Sequence, residues 1–110
     1  MTYTNAAKEE MLGVSHQTLE THGAVSEQVA REMAQGAFYR SAAQFAVAVT
    51  GIAGPGGSEN KPEGRVCFGI ADANGCITET KEFGAIGRSN VRRATVEHAL
   101  SLLIQAMSRE

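Results

Sequence analysis

Apolar and polar positions along this chain fall into two kinds of run. "FAVAVT" (45–50) is almost wholly apolar, which predicts a short strand covered on both faces. "RVCFGIADA" (65–73) and "CITETKEF" (76–83) flank Asn74-Gly75, a strong short hairpin signal, so they are predicted to pair with Ala73 facing Cys76. Glu79, Lys81 and Glu82 give the second of these strands the charged face of a sheet edge. The remaining runs follow a helical period. "NAAKEEML" (5–12) reads as a short helix begun by Asn5 and ended by Gly13. "HQTLETH" (16–22) reads as a second, between Ser15 as cap and Gly23 as stop. "EQVAREMAQGAFYR" (27–40) is predicted as a longer helix capped by Ser26, its stripe running through Val29, Met33 and Ala37 beside Ala30, Ala34 and Phe38. Gly36 inside it either marks close approach to a neighbour or merely weakens it. A last helix is predicted from Ser89 as cap, with Val91, Thr95, Ala99, Leu102, Leu103 and Ala106 as its buried stripe. Helices on both sides of a covered sheet describe a three-layer α/β domain, although three strands make a thin sheet for it.

Length and composition narrow the function. The chain has 110 residues, 43% hydrophobic and 20% charged, so residues 1–110 are expected to form one folded domain. A net charge of −2 offers nothing that would draw nucleic acid or an anionic membrane, and neither partner is expected. No apolar run reaches the length of a membrane span, and "MTYTNAAKEE" lacks the pattern of a signal peptide. A cytoplasmic protein is the expectation. Cys67 and Cys76 lie too far apart along the predicted hairpin for a disulfide. His16, His22 and His98 show no ligand spacing with either cysteine, so no metal is expected.

Five glycines and both prolines of the chain fall between Gly51 and Gly64, directly after the strand that ends at Thr50. Ligands of open α/β sheets bind beyond the carboxyl ends of strands, and glycine-rich backbone there can turn several N–H groups toward an anion. The spacing fits neither a P-loop nor a dinucleotide fingerprint. The other reading is a slack connection, which Ser58–Lys61 resembles. Lys8 sits near a predicted helix start, where a cation opposes the dipole; it either has a chemical task or is a solvated surface residue. Arg88 and Arg92, four apart at the start of the last helix, make either a phosphate clamp or a solvated basic turn.

Four stretches taken together resemble a known family: "YTNAAKEEMLGV", "HGAVSEQVAREMAQGA", "AVAVTGIAGPGG…KPEGRV" and "GRSNVRRATVEHAL". They are similar, in order and in spacing, to the CinA C-terminal domain family, the bacterial nicotinamide-mononucleotide amidases. The resemblance spans essentially the whole chain. It implies a three-layer α/β/α sandwich with a five-stranded mixed sheet, assembled as a homo-oligomer of at least two copies. It implies hydrolysis of nicotinamide mononucleotide to nicotinic acid mononucleotide and ammonia, a step of pyridine-nucleotide recycling that needs no cofactor. Tyr3, Asn5 and Lys8 match the family's Tyr-Ser-Asn-x-Ala-Lys segment, with Thr4 in place of its serine. Thr50 and Gly51 match its strand-end Thr-Gly, and Arg88 matches the arginine before its last helix. The resemblance thus implies Lys8 and Thr50 as catalytic, and Tyr3, Asn5, Gly51, Gly54 and Arg88 as substrate-binding.

The family's nucleophile is a serine in a Glu-Ser-Cys-Thr-Gly-Gly motif on an opening strand and helix, and these 110 residues lack that unit. None of the seven serines lies in such a motif; Ser15, Ser26 and Ser89 are better explained as helix caps. Two expectations follow: these residues alone do not hydrolyse the nucleotide, and the apolar edge at 45–49, beside which the opening strand belongs, needs a partner. The alternative function is a non-catalytic module that binds nucleotides or partners.

Overall fold

The computed structural model describes residues 13–40, 44–52 and 61–108. The predicted helix at 5–12 lies outside them. Helix α1 spans His16–His22, with Ser15 as its cap and Gly23, at φ +80°, turning the chain out of it. Helix α2 spans Glu27–Arg40, and the Ser26 hydroxyl accepts from Val29 N–H at 3.2 Å. Both caps stand where the sequence places them, because each serine satisfies an amide that the first helical turn leaves unpaired. Glu32 ties the two helices together by accepting from Ser15 N–H at 2.6 Å and from the Thr18 hydroxyl at 2.5 Å.

The strands are β1 (Ala46–Gly51), β2 (Arg65–Asp72) and β3 (Gly75–Glu82), in the order β1-β2-β3. Both pairings are antiparallel, and no parallel pair occurs among the described residues. The hairpin register differs from the predicted one by two residues. Asp72 pairs with Gly75 and Ala71 with Cys76, so the connecting residues are Ala73-Asn74 rather than Asn74-Gly75. The Asp72 carboxylate accepts from Asn74 N–H at 2.8 Å, a local turn that closes the hairpin before the Asn-Gly pair can. A slip of two keeps every side chain on its expected face. Cys67 pairs with Thr80, four residues along β2 from the partner of Cys76, which is about 13 Å. Both thiols are free.

Strand β2 separates the two faces. Cys67, Gly69 and Ala71 meet the α2 side, where Val25, Val29, Ala30, Met33 and Ala34 are buried. Val66 and Phe68 meet the opposite side and pack on Val91 of the last helix, α3 (Arg88–Ser108). The domain is therefore a three-layer α/β sandwich. The close helix–sheet approach falls at Gly69, where an added Cβ would stand 2.5 Å from the Ala30 carbonyl oxygen.

Helix α3 corrects two expectations. Ser89 is its second residue and not its cap. Val91 N–H donates to the Gly87 carbonyl at 2.9 Å, which makes Gly87, at φ +96°, the capping position. Of the predicted stripe, Val91 and Ala106 are buried, while Thr95, Ala99, Leu102 and Leu103 are half-buried. Val96, Leu100, Ile104 and Met107 are each more than half exposed, so α3 is apolar on its outer side as well.

Glu27, in the first turn of α2, accepts from the hydroxyls of Thr80 at 2.7 Å and Thr78 at 2.9 Å on β3. These bonds, Thr80's first, with help from Arg31, hold its carboxyl below the usual carboxylate range against a smaller opposing effect of burial. A carboxyl made more acidic by folding stabilises the fold fully above the ordinary carboxylate range and loses that contribution as pH falls through its folded value. Glu27→Gln is expected to lower stability by about 0.5–1 kcal/mol at neutral pH. In urea melts stepped from pH 7 to pH 3, the gap to the parent should close at the acid end; a gap independent of pH contradicts this role.

Candidate functional site

Strand β1 ends at Thr50 and Gly51, at the same end of the sheet as the start of α3. Thr50 is buried, and its hydroxyl donates to the Ala24 carbonyl at 2.6 Å. A Cβ on Gly51 would stand 2.8 Å from Val66 Cγ2 and 3.1 Å from the Arg65 carbonyl oxygen. Glycine is therefore required there for strand packing, whatever else its backbone approaches. Just beyond, Ile52 donates to the Arg65 carbonyl at 3.0 Å and accepts from Gly64 N–H at 2.7 Å, closing the glycine-rich loop at its base. Residues 53–60, which include Gly54, lie outside the described residues, as do Tyr3, Asn5 and Lys8.

Lys61, where the described residues resume after the glycine-rich stretch, is held in place. Lys61 is half-buried, and its ammonium donates to the carbonyls of His22, at 2.6 Å, and Val25. Between these, the Gly23 carbonyl accepts from the Ser26 hydroxyl at 2.9 Å, and the Ala24 carbonyl takes Thr50. Four successive carbonyls of the "HGAV" turn are thus met by side-chain donors. Sequence reasoning anticipated the helix stop and the Ser26 cap here, but missed Lys61. A lysine before proline carries no local sign of partners 36 and 39 residues away.

Arg88 is exposed and opens α3 on the other face of the sheet. Val91, one turn on, packs against Val66, which pairs with Gly51. Phe83 N–H donates to the Gly64 carbonyl at 2.9 Å, laying the β3–α3 connection beside the base of the glycine-rich loop. The structure thus brings Thr50, Gly51 and Arg88 to one end of the sheet and adds Lys61 to them.

The described part of this site offers donors and backbone more readily than a nucleophile. The hydroxyl hydrogen of Thr50 is committed to Ala24, and that of Ser26 to Gly23. The Cys67 thiol lies buried beside Thr80 Oγ1, and burial pushes its pKa up, away from the thiolate that reacts. His98 pairs with Glu79 and stands edge-on to Phe68, ring centroids 4.7 Å apart, on the α3 face. No group of three or more His, Cys, Asp or Glu side chains among the described residues is placed to hold a metal. No described helix is long and apolar enough to cross a membrane.

A family model described as the CinA C-terminal domain matches residues 1–107. The chain belongs to the CinA C-terminal domain family. Within it, the chain is 53% identical over 93 residues to the nicotinamide-nucleotide amidohydrolase PncC of Enterobacter agglomerans, covering 84% of this chain and 57% of that protein. To the Escherichia coli K12 protein of the same name it is 48% identical over 106 residues, covering 96% of this chain and 64% of that one. The solved structure of the competence/damage inducible protein CihA from Agrobacterium tumefaciens superposes with a TM-score of 0.90 at 56% identity, over 94% of this chain and 64% of that one. This CinA C-terminal domain therefore spans about three-fifths of the length of these three relatives.

Proposed function

We propose that the chain forms part of an amidase that converts nicotinamide mononucleotide and water to nicotinic acid mononucleotide and ammonia. The observation that carries this reading is 48% identity, across 96% of the chain, to a protein named nicotinamide-nucleotide amidohydrolase. The meeting of Thr50, Gly51, the closed base of the glycine-rich loop and Arg88 at one sheet end supports it. In this reading a serine on the Glu-Ser-Cys-Thr-Gly-Gly motif attacks the amide carbonyl. Lys8 takes the serine's proton and returns it to the departing ammonia, and water then cleaves the acyl-enzyme ester. Thr50 aligns the strand end against the reacting groups. Arg88 and the backbone of Gly51 and Gly54 hold the phosphate, while Tyr3 and Asn5 bind the rest of the nucleotide. No cofactor takes part. The setting is cytoplasmic recycling of pyridine nucleotides, and the assembly is at least a dimer.

These 110 residues contain no Glu-Ser-Cys-Thr-Gly-Gly sequence, which favours a second reading: by themselves they bind nucleotide without hydrolysing it. A coupled ammonia assay on the 110-residue chain is expected to give background rates only. Ordinary turnover that disappears when one of the seven serines is mutated overturns the assignment of the nucleophile. Light scattering on the same sample should show an oligomer, because β1 ends the described sheet with an apolar edge. A stable monomer at micromolar concentration contradicts that part of the reading.

A further inference from the structure

We propose that the outer face of α3 is an interface between two copies of this chain, which pack there as an antiparallel helix pair about a two-fold axis. Six of the seven large apolar side chains exposed among the described residues lie around this helix. Val96, Leu100, Ile104 and Met107 stand on its outer side, and Ile86 on the connection into it. Ile77 lines the groove between β3 and α3 with Leu102 and Gln105. A helix that is apolar all the way round is at home only where both of its faces are covered. The sheet covers one face, through Val91 and Leu102 against Val66 and Phe68. On the other, Val96, Leu100, Leu103 and Met107 recur at intervals of four, three and four, with Ile104 alongside. That is the seam by which one helix packs along another.

The charge pattern of α3 selects a second copy as the occupant. Residues 99–107 carry no charged side chain, so the seam holds no ionic group that would favour an acidic or a basic partner. At its ends the helix is set against its own dipole. Its first turn holds no acid and its last turn no base, while Arg92 and Arg93 stand exposed near its start. An antiparallel copy reverses this by laying its C-terminal carbonyl end beside those arginines, and the two-fold axis repeats the match at the other end. With the axis level with Ser101 and Leu102, Leu100 meets the partner's Leu103 and Ile104, and Val96 meets the partner's Met107. A parallel pair would instead set Arg93 against the partner's Arg93. The outer side chains of the two copies together would withdraw on the order of 1,000 Å² from water, the lower bound for a specific interface. The edge of β1 would associate through backbone hydrogen bonds and this face through side chains, so the two surfaces can be tested apart.

Sedimentation equilibrium at micromolar concentration compares the 110-residue chain with a Leu100→Glu, Ile104→Glu double variant, and circular dichroism checks that both are folded. Both side chains are more than half exposed in the single copy. The variant should therefore keep the parent's helix signal and raise the dimer Kd a hundredfold or more. Leu100→Ser with Ile104→Ser serves with the same readout if the glutamates prevent folding. Orientation is read by disulfide formation in a Cys76→Ser background. Val96 and Met107 lie about 16 Å apart along the helix. In an antiparallel pair each is then farther from its own counterpart than the roughly 7 Å that a disulfide can span, yet it faces the other. A mixture of Val96→Cys and Met107→Cys chains should form a linked dimer, and neither chain alone should. A monomeric parent, a mixture that does not link, or linking by either chain alone overturns the proposal. So does a glutamate variant with a Kd within threefold of the parent's, which leaves assembly to the β1 edge. It is also overturned if the glutamate pair has no effect in a chain extended by a relative's opening strand and helix, since the added unit then covers the face.

Discussion

Lys8→Met, made in a chain extended by a relative's Glu-Ser-Cys-Thr-Gly-Gly segment, is expected to cut ammonia release from nicotinamide mononucleotide by about 10⁴-fold. An unaided serine hydroxyl is a poor nucleophile at neutral pH and needs a base within hydrogen-bond reach. Lys8 combines a titratable amine with a position in the family's motif, whereas all three histidines lie outside the catalytic motifs. His98 is also engaged elsewhere, on Glu79 and Phe68. Urea melts run in parallel on parent and variant separate a kinetic loss from unfolding. Arg88→Ala supplies the contrast. A phosphate clamp contributes binding shared by ground and transition states, so KM should rise about tenfold while kcat stays within a few-fold. Steady-state kinetics on the three proteins separates the roles. A Lys8→Met enzyme that keeps turnover within a few-fold of its parent removes the Ser–Lys mechanism.

How much of this site can be read from sequence depends on how far each interaction reaches along the chain. Ser26 as a cap and Gly23 as a stop are local devices, and both stand where expected. Thr50 at a strand end before a glycine-rich loop is also a local pattern. The destination of its hydroxyl is not, because Ala24 lies 26 residues earlier. The lysine clamp is invisible for the same reason. Gly51 adds a different lesson: its position at the start of a glycine-rich loop suggested close approach to substrate, yet the atoms nearest an added Cβ belong to Val66 and Arg65.

The layers of the fold were legible because the almost wholly apolar run at 45–50 and the 3.6-residue stripe of α2 signal a sheet covered by helices; β2 is accordingly buried on both faces along its middle. The hairpin register and the start of α3 were missed where two local signals competed. Asp72 offered a carboxylate to the turn ahead of Asn74-Gly75, and Gly87 took the capping position ahead of Ser89. On α3 the apolar residues run right round the helix, so a stripe chosen by period alone had no unique direction. Contact with Val66 and Phe68 decides it.

Gly69→Ala is expected to lower stability by about 2–3 kcal/mol, a large share of the total for a domain of this size. The added methyl would stand 2.5 Å from the Ala30 carbonyl oxygen, 2.9 Å from its carbon and 3.3 Å from Ala34 Cβ. The first two atoms are backbone of α2, and a helix cannot yield there as a flexible side chain would. Relief would require moving α2 off the sheet, which opens the packing of Val29, Ala30 and Ala34, all fully buried. The identity of the clashing atom gives a sharper check. Adding Ala34→Gly to the Gly69→Ala variant removes only the 3.3 Å contact and leaves the Ala30 carbonyl in place. The double variant should therefore recover little, and the exchange of alanine for glycine inside α2 should cost roughly a further 1 kcal/mol. Urea midpoints for the parent, the single and the double variants measure all of this. A Gly69→Ala midpoint matching the parent's, or full rescue by Ala34→Gly, would show that α2 does not lie on β2 as closely as Gly69 indicates.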